Sequence, residues 1–239
     1  MSFIIHTAGF YIEVYSIQLD LSNLQHLCRC YTVEGFRPDI YIEIEQCDID
    51  IYLNERDNTK FSMTEIELLS LHRKLTEALL EKSVLLVHGA AISCNDKAYI
   101  ISAPSGTGKS YRARQWLRSI PDSYIINGDK PYLKFEGNYV YACGSPWCGK
   151  EHFSSNKIVQ LQAILFLERS NKTALNKLSF QDAFIKLLSQ SFIPSEYSKM
   201  RKALQLLKHL EGKVDFYQFQ STMEPESVLT AYRIVTSKI

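Results

Sequence analysis

Apolar and polar positions alternate with period two through residues 1 to about 60, a region rich in Ile, Tyr and Val. The alternation is clearest at Ile40 to Glu45 (IYIEIE) and Ile49 to Leu53 (IDIYL). Such runs predict half-exposed antiparallel strands. The polar stretch Asn54 to Lys60 reads as the best internal loop, and the pattern then changes period. From Thr64, a candidate N-cap, Ile66, Leu68, Leu69, Leu71, Leu75, Leu79 and Leu80 recur at helical spacing, predicting a helix that joins the N-terminal strands to the rest. Val84 to Ser93 reads as one buried strand carrying His88 and Gly89. The Asn95-Asp96 turn leads into a second strand, so the two form a hairpin and the sheet is expected to be mixed.

Further along, a helix is expected from about Lys109 to Ser119 and a short strand over Ser123 to Asp129. A hairpin follows around Glu136-Gly137-Asn138, and then an irregular stretch, Cys143 to Asn156 (CGSPWCGKEHFSSN). Ile158 to Leu167 is a buried strand. Residues 179 to 190 and 195 to 210 are helical, Val214 to Phe219 a strand, and Pro225 to Lys238 a final helix.

The chemistry concentrates between the hairpin and the first of these helices. Ala103-Pro104-Ser105-Gly106-Thr107-Gly108-Lys109-Ser110 has the spacing of a nucleotide phosphate loop, with alanine where the common motif has its first glycine. Small residues let backbone N–H groups converge on phosphate oxygens, and Gly106 and Gly108 can take positive φ. Lys109 can reach the β and γ phosphates, and Ser110 can offer its hydroxyl to Mg²⁺. The helix after them turns its positive end to the anion. Asp129, at the end of the next strand, stands where such proteins need a second carboxylate, though a turn former before Lys130-Pro131 has the same look. His88 reads either as a satisfied core histidine or as a functional one. The irregular stretch offers Gly144, Trp147 and Lys150 as a candidate substrate loop, or a packing loop anchored by Trp147. Arg112, Arg114 and Lys150 are spare cations for an acceptor, the arginines alternatively a solvated helix face. The acids Glu43, Glu45, Asp48 and Asp50 read as a solvated strand face ahead of the alternative, a metal site.

The 239 residues carry 27 Lys and Arg against 26 Asp and Glu, a balance that suggests no extended nucleic-acid or anionic-membrane footprint. The six cysteines lack CxxC spacing, so zinc is not expected and reduced thiols in a cytoplasmic protein are. The first residues lack a basic region, and no apolar run reaches membrane-spanning length.

With His88-Gly89, the loop SAPSGTGKS, Asp129 and the GSPW stretch together, residues 84 to 170 resemble the kinase domain of HPr kinase/phosphorylase and, more distantly, the core of ATP-dependent phosphoenolpyruvate carboxykinase. The resemblance implies an α/β fold: a P-loop core with a mixed sheet over 63–239, preceded by a small β-rich unit over 1–62. It places His88 in the active site, the matching histidine being a metal ligand in the carboxykinases. Both families carry an Asp-Asp pair where this chain has Asn127-Gly128-Asp129-Lys130, so one acid is missing. Asp129 then serves either as general base or as a ligand of Mg²⁺ beside Ser110. Glu151 is a weaker match to a further family acid.

Catalytic roles thus fall to Asp129, His88 and Lys109, and nucleotide binding to residues 103 to 110. ATP and Mg²⁺ are cofactors, and the acceptor is a serine of a peptide or protein, or a small-molecule hydroxyl. The alternative is a non-catalytic ATP-binding regulatory module. The HPr kinase motif for the phosphorylase reaction is not seen. Carboxykinase activity is disfavoured by the short chain, GTPase activity by the absence of an Asn-Lys-x-Asp motif, and transporter ATPase activity by the absence of Leu-Ser-Gly-Gly. HPr kinases are hexamers, so a homo-oligomer is compatible with the resemblance but not implied by it.

Overall fold

The structure, a computed structural model, describes residues 1–17, 20–55 and 61–237. Strands β1 (Ser2–Thr7) and β2 (Phe10–Tyr15) form a hairpin closed by Ala8 and Gly9, both at positive φ. After α1 (Ser22–Leu27), β3 (Thr32–Val33) and β4 (Ile40–Glu43) complete a four-stranded sheet of order β3-β1-β2-β4. β4 runs parallel to β2, against the expectation of purely antiparallel pairing.

The second alternating run is helical. Residues 49 to 53 lie in α2 (Gln46–Glu55), because Ile49, Tyr52 and Leu53 also fit i, i+3, i+4 spacing. That face packs on α3 (Met63–Glu81), with Ile49 fully buried and Tyr52 and Leu53 against the same cluster. Asp48 is not on a solvated strand face either. It is buried and paired with Arg73 Nη2 at 2.8 Å and Lys74 Nζ at 2.6 Å. Burial alone would raise the Asp48 carboxyl. Hydrogen bonds from Lys74 and the Glu45 amide, with the charges of Lys74 and Arg73, bring it below the usual carboxylate value. The expected 54–60 loop begins within α2, and residues 56–60 lie outside the described residues. The N-cap of α3 is Ser62 rather than Thr64, since only Ser62 can form the reciprocal capping box with Glu65.

The stretch expected to be one strand over 84–93 is two. β5 (Val84–Leu86) pairs with β9 (Tyr132–Glu136), whereas β6 (Ala90–Cys94) pairs with β7 (Lys97–Ser102) and β8 (Tyr124–Asn127). The chain crosses between these partners at Val87–Gly89, which frees His88 from either ladder. The Asn95-Asp96 hairpin is present, with both residues at positive φ as a two-residue turn demands.

β9 and β10 (Tyr139–Cys143) form the second hairpin, and β11 (Ile158–Arg169) is the spine of the larger sheet. Its first residues pair antiparallel with β10. Its later ones run parallel to β7 and to β13 (Asp215–Ser221). A short β12 (Ala174–Lys177), absent from the sequence expectation, edges β13. The sheet is therefore mixed and its order is β5-β9-β10-β11-β7-β6-β8, with β13 and β12 off that path.

α4 (Lys109–Ser119) and α7 (Glu226–Thr236) cover one face with Trp116, Ala113, Val228 and Ala231; residue 238 of the expected last helix lies outside the described residues. α5 (Phe180–Ser189) and α6 (Tyr197–Lys208) cover the other with Ala183, Leu187, Ala203 and Leu207. The N-terminal sheet, α3, Tyr132, Cys143 and Trp147 share one apolar cluster, so the smaller sheet packs directly beside the 143–156 loop. Among the described residues, no helix is long and apolar enough to cross a membrane.

Candidate functional site

Four fully buried residues of β7, Tyr99 to Ile101 with Ala98, hold the strand rigid up to Ser102, and the chain then turns through residues 103–108 into α4. The turn uses its glycines: Gly106 has φ +79° and Gly108, the N-cap of α4, has φ +113°. Side chains rarely adopt either value. The first amides of α4 have no carbonyl one turn back, so donors open the helix here. Lys109 is buried and folds back, its Nζ donating to Ala103 O at 2.9 Å and Pro104 O at 3.4 Å. Burial pulls its ammonium below the usual lysine value, while the charge of Asp129 acts to raise it. Ser110 is partly exposed on the first turn, and Pro104, Ser105 and Thr107 form the rim, Thr107 Oγ1 donating to Pro104 O at 2.9 Å. A shallow depression open to solvent lies against this rim, lined by Ser105, Gly106, Thr107, Leu167, Glu168 and Arg169.

Asp129 follows β8 on a turn built by Asn127. The fully buried Asn127 accepts the N–H groups of Asp129 at 2.9 Å and Lys130 at 2.7 Å through Oδ1, and donates to Ser145 O and Oγ at 3.0 and 3.1 Å. Asn127 is thus a fastener for the turn. Asp129 Oδ1 lies 3.4 Å from His88 Nε2. The hydrogen bond from His88 holds the Asp129 carboxyl below the usual carboxylate range; burial opposes this, and the charges of His88, Lys130 and Lys109 add to it.

His88 is positioned from three directions. Its N–H donates to Gln190 O at 2.7 Å, its Nδ1 meets Gln190 Oε1 at 2.8 Å, and its carbonyl accepts from Ser102 Oγ at 2.8 Å. Gln190 caps α5, far away in sequence, and no spacing signal pointed to it. The structure thus brings His88 and Asp129 together, with the Lys109 charge within electrostatic reach.

The 143–156 loop packs over the Asp129 turn. Ser145 Oγ donates to Lys130 O at 2.6 Å and Ser154 Oγ to Ser145 O at 2.9 Å. Gly144 is buried against Ser155, and buried Trp147 donates its Nε1–H to Tyr132 OH at 2.8 Å. Lys150 is exposed beyond that packing. Glu151 pairs with Arg114 at 2.7 Å, tying the loop to α4.

Arg112 is not a spare cation. It is buried and donates to the carbonyls of Thr222 and Glu224 and to Gln115 Oε1, fixing the segment before α7. A residue with no motif signal, Arg169 at the end of β11, donates Nε–H to Thr107 O at 3.0 Å and Nη2–H to Gly106 O at 2.5 Å.

No protein-family model matches the chain, and no curated protein matches it. Among solved structures it is similar to the Hpr(Ser) kinase/phosphatase from Coxiella burnetii, with a TM-score of 0.39 and 8% sequence identity. The match covers 64% of this chain and 95% of that one. The likeness is a distant one in fold. What the coordinates define is a mixed α/β protein with a glycine loop entering a helix beside a histidine–carboxylate pair.

Proposed function

We propose that the chain is an ATP-dependent phosphotransferase related to the HPr kinases, moving the γ-phosphoryl group to a hydroxyl, that of a serine in a peptide or protein. The observation that carries this reading is the 103–110 loop: two positive-φ glycines lead into α4, and a buried lysine lies within electrostatic reach of Asp129, whose carboxyl is held below the usual range. The donor set suits the ligand. Main-chain amides and one ammonium answer a triphosphate, and a serine hydroxyl with a carboxylate of low pKa answers Mg²⁺. When bound, Mg²⁺ would neutralise charge on the phosphate oxygens, with Ser110 and Asp129 as its protein ligands.

In this reading the acceptor oxygen bonds to the γ-phosphorus as the bond to the ADP oxygen breaks. Where Asp129 is the base it takes the acceptor's proton, and His88, gripped by Gln190, keeps that carboxylate oriented. Positioning and charge stabilisation supply the rate. The nucleotide-binding domain spans 63–239, with 1–62 as a β-rich unit supporting the 143–156 loop. Six free cysteines suit a reducing, cytoplasmic setting.

One observation favours a second reading, a nucleotide-sensing module without turnover: Asp129 has no acid beside it, being flanked by Gly128 and Lys130. Incubation with γ-labelled ATP, Mg²⁺ and serine-containing candidate acceptors separates the two. A kinase transfers label as wild type, and Asp129→Asn loses transfer while retaining nucleotide affinity. A sensor binds nucleotide and transfers nothing.

A further inference from the structure

Two cations hold carbonyls of the 103–108 loop from opposite sides. Lys109 Nζ takes those of Ala103 and Pro104 from within, and the Arg169 guanidinium takes those of Gly106 and Thr107 from the end of β11. These are different kinds of contact. The Lys109 ammonium is a mobile point charge with a third donor left to meet a phosphate, whereas the planar fork of Arg169 holds two consecutive peptides at once.

In a planar peptide the C=O and N–H point opposite ways. Drawing Thr107 O toward Arg169 therefore directs the Gly108 N–H to the other side of the loop, toward the start of α4. The Thr107 N–H already donates to Pro104 O at 3.3 Å, so it is the 107–108 peptide, beside Gly108, that has little intrinsic preference and flips readily without an outside hold. Among the described residues the polar partners of Arg169 are these two carbonyls.

We propose that Arg169 is a positioning residue for the nucleotide: it keeps the 107–108 peptide turned so that the Gly108 N–H faces the phosphates while Lys109 meets the ligand. The inference rests on the phosphotransferase reading. It deepens that reading by assigning the loop's alignment to a side chain on a neighbouring strand. Because Arg169 acts through the loop and not on a terminal phosphate, its loss weakens ADP and ATP alike.

The test uses the full chain as wild type, Arg169→Ala and Arg169→Lys. Affinities for ADP and ATP are measured with Mg²⁺, and amide hydrogen exchange is followed at residues 105–108 in the nucleotide-free protein. Arg169→Ala is expected to lose roughly ten-fold in affinity for both nucleotides. It should exchange its loop amides faster, and Arg169→Lys should recover part of each effect. Affinities within about two-fold of wild type, or unchanged exchange, would overturn the proposal. So would a loss confined to ATP, which would make Arg169 a direct γ-phosphate contact. If the wild type binds neither nucleotide, the phosphotransferase reading fails and the nucleotide role of Arg169 with it, while exchange still decides whether Arg169 holds the loop.

Discussion

Gly144→Ala is the substitution that most sharply tests how the 143–156 loop is held. A Cβ at this position would stand 1.9 Å from Ser155 O, 2.7 Å from Tyr31 OH and 2.9 Å from the Ser155 carbonyl carbon. Carbon–oxygen contacts settle at about 3.3 Å or more, so the two backbone segments must part by more than about 1 Å. Three contacts cross that gap or lie beside it. They are Gly144 N–H to Lys157 O at 3.0 Å, Thr7 Oγ1 to Gly144 O at 2.9 Å, and Tyr31 OH with Ser154 Oγ. A stretch of that size takes each beyond hydrogen-bonding range. At about 1 kcal/mol net apiece the loss is about 3 kcal/mol. For a chain of this length each kcal/mol moves the midpoint by about 2–4 °C, so Tm falls by about 6–12 °C. Thermal unfolding followed by circular dichroism reads the effect directly. A fall of less than about 2 °C would refute the steric argument and, with it, the claim that the N-terminal sheet clasps this loop.

Other perturbations probe separate parts of the structure. Asp48→Asn should cost about 1–2 kcal/mol at neutral pH, an amount discounted because Arg73 and Lys74 are about a quarter exposed. Its folded-state pKa lies below the ordinary value, so the charge contributes above the ordinary carboxylate pKa and is lost as pH falls through the depressed one. Denaturant unfolding of wild type and variant should therefore converge in acid; a gap that persists there contradicts the pairing. Trp147→Phe removes the donor to the fully buried Tyr132 hydroxyl and should cost about 1–3 kcal/mol, read as a lower denaturation midpoint at unchanged slope. An unchanged midpoint would show that another group satisfies that hydroxyl.

Local signals were legible where one stretch carried all the information. The helix expected over Lys109 to Ser119 is α4 to the residue, and the Asn95-Asp96 turn closes the hairpin it promised. The mixed sheet followed from that hairpin, since adjacent strands joined by two residues must be antiparallel. Ambiguity entered where a run was too short for its period to decide. Residues 49 to 53 satisfy both alternation and a helical face, and packing against α3 chose the helix. Val84 to Ser93 is apolar on both sides of His88-Gly89, and that pair is the single sign within it of the crossing at Val87–Gly89 where it changes partner strands.

The candidate site divides in the same way. The 103–110 loop and Asp129 lie close in sequence and could be read together. Gln190 against His88 and Arg169 against the loop act across separations of 102 and 62 or 63 residues, which only the three-dimensional fold brings together. Arg112 is not legible from sequence because a basic residue on a helix is usually solvated, whereas here the carbonyls of Thr222 and Glu224 before α7 draw it inward.

The central claim, that residues 103–110 grip a nucleoside triphosphate, is tested most directly by thermal unfolding with and without Mg²⁺-ATP in wild type and Lys109→Ala. At a ligand concentration a hundred times Kd the wild type gains about 2.7 kcal/mol, a rise of about 5–11 °C, and Lys109→Ala gains little or none. A wild type whose midpoint does not move, or a Lys109→Ala variant stabilised as much as wild type, would contradict the account.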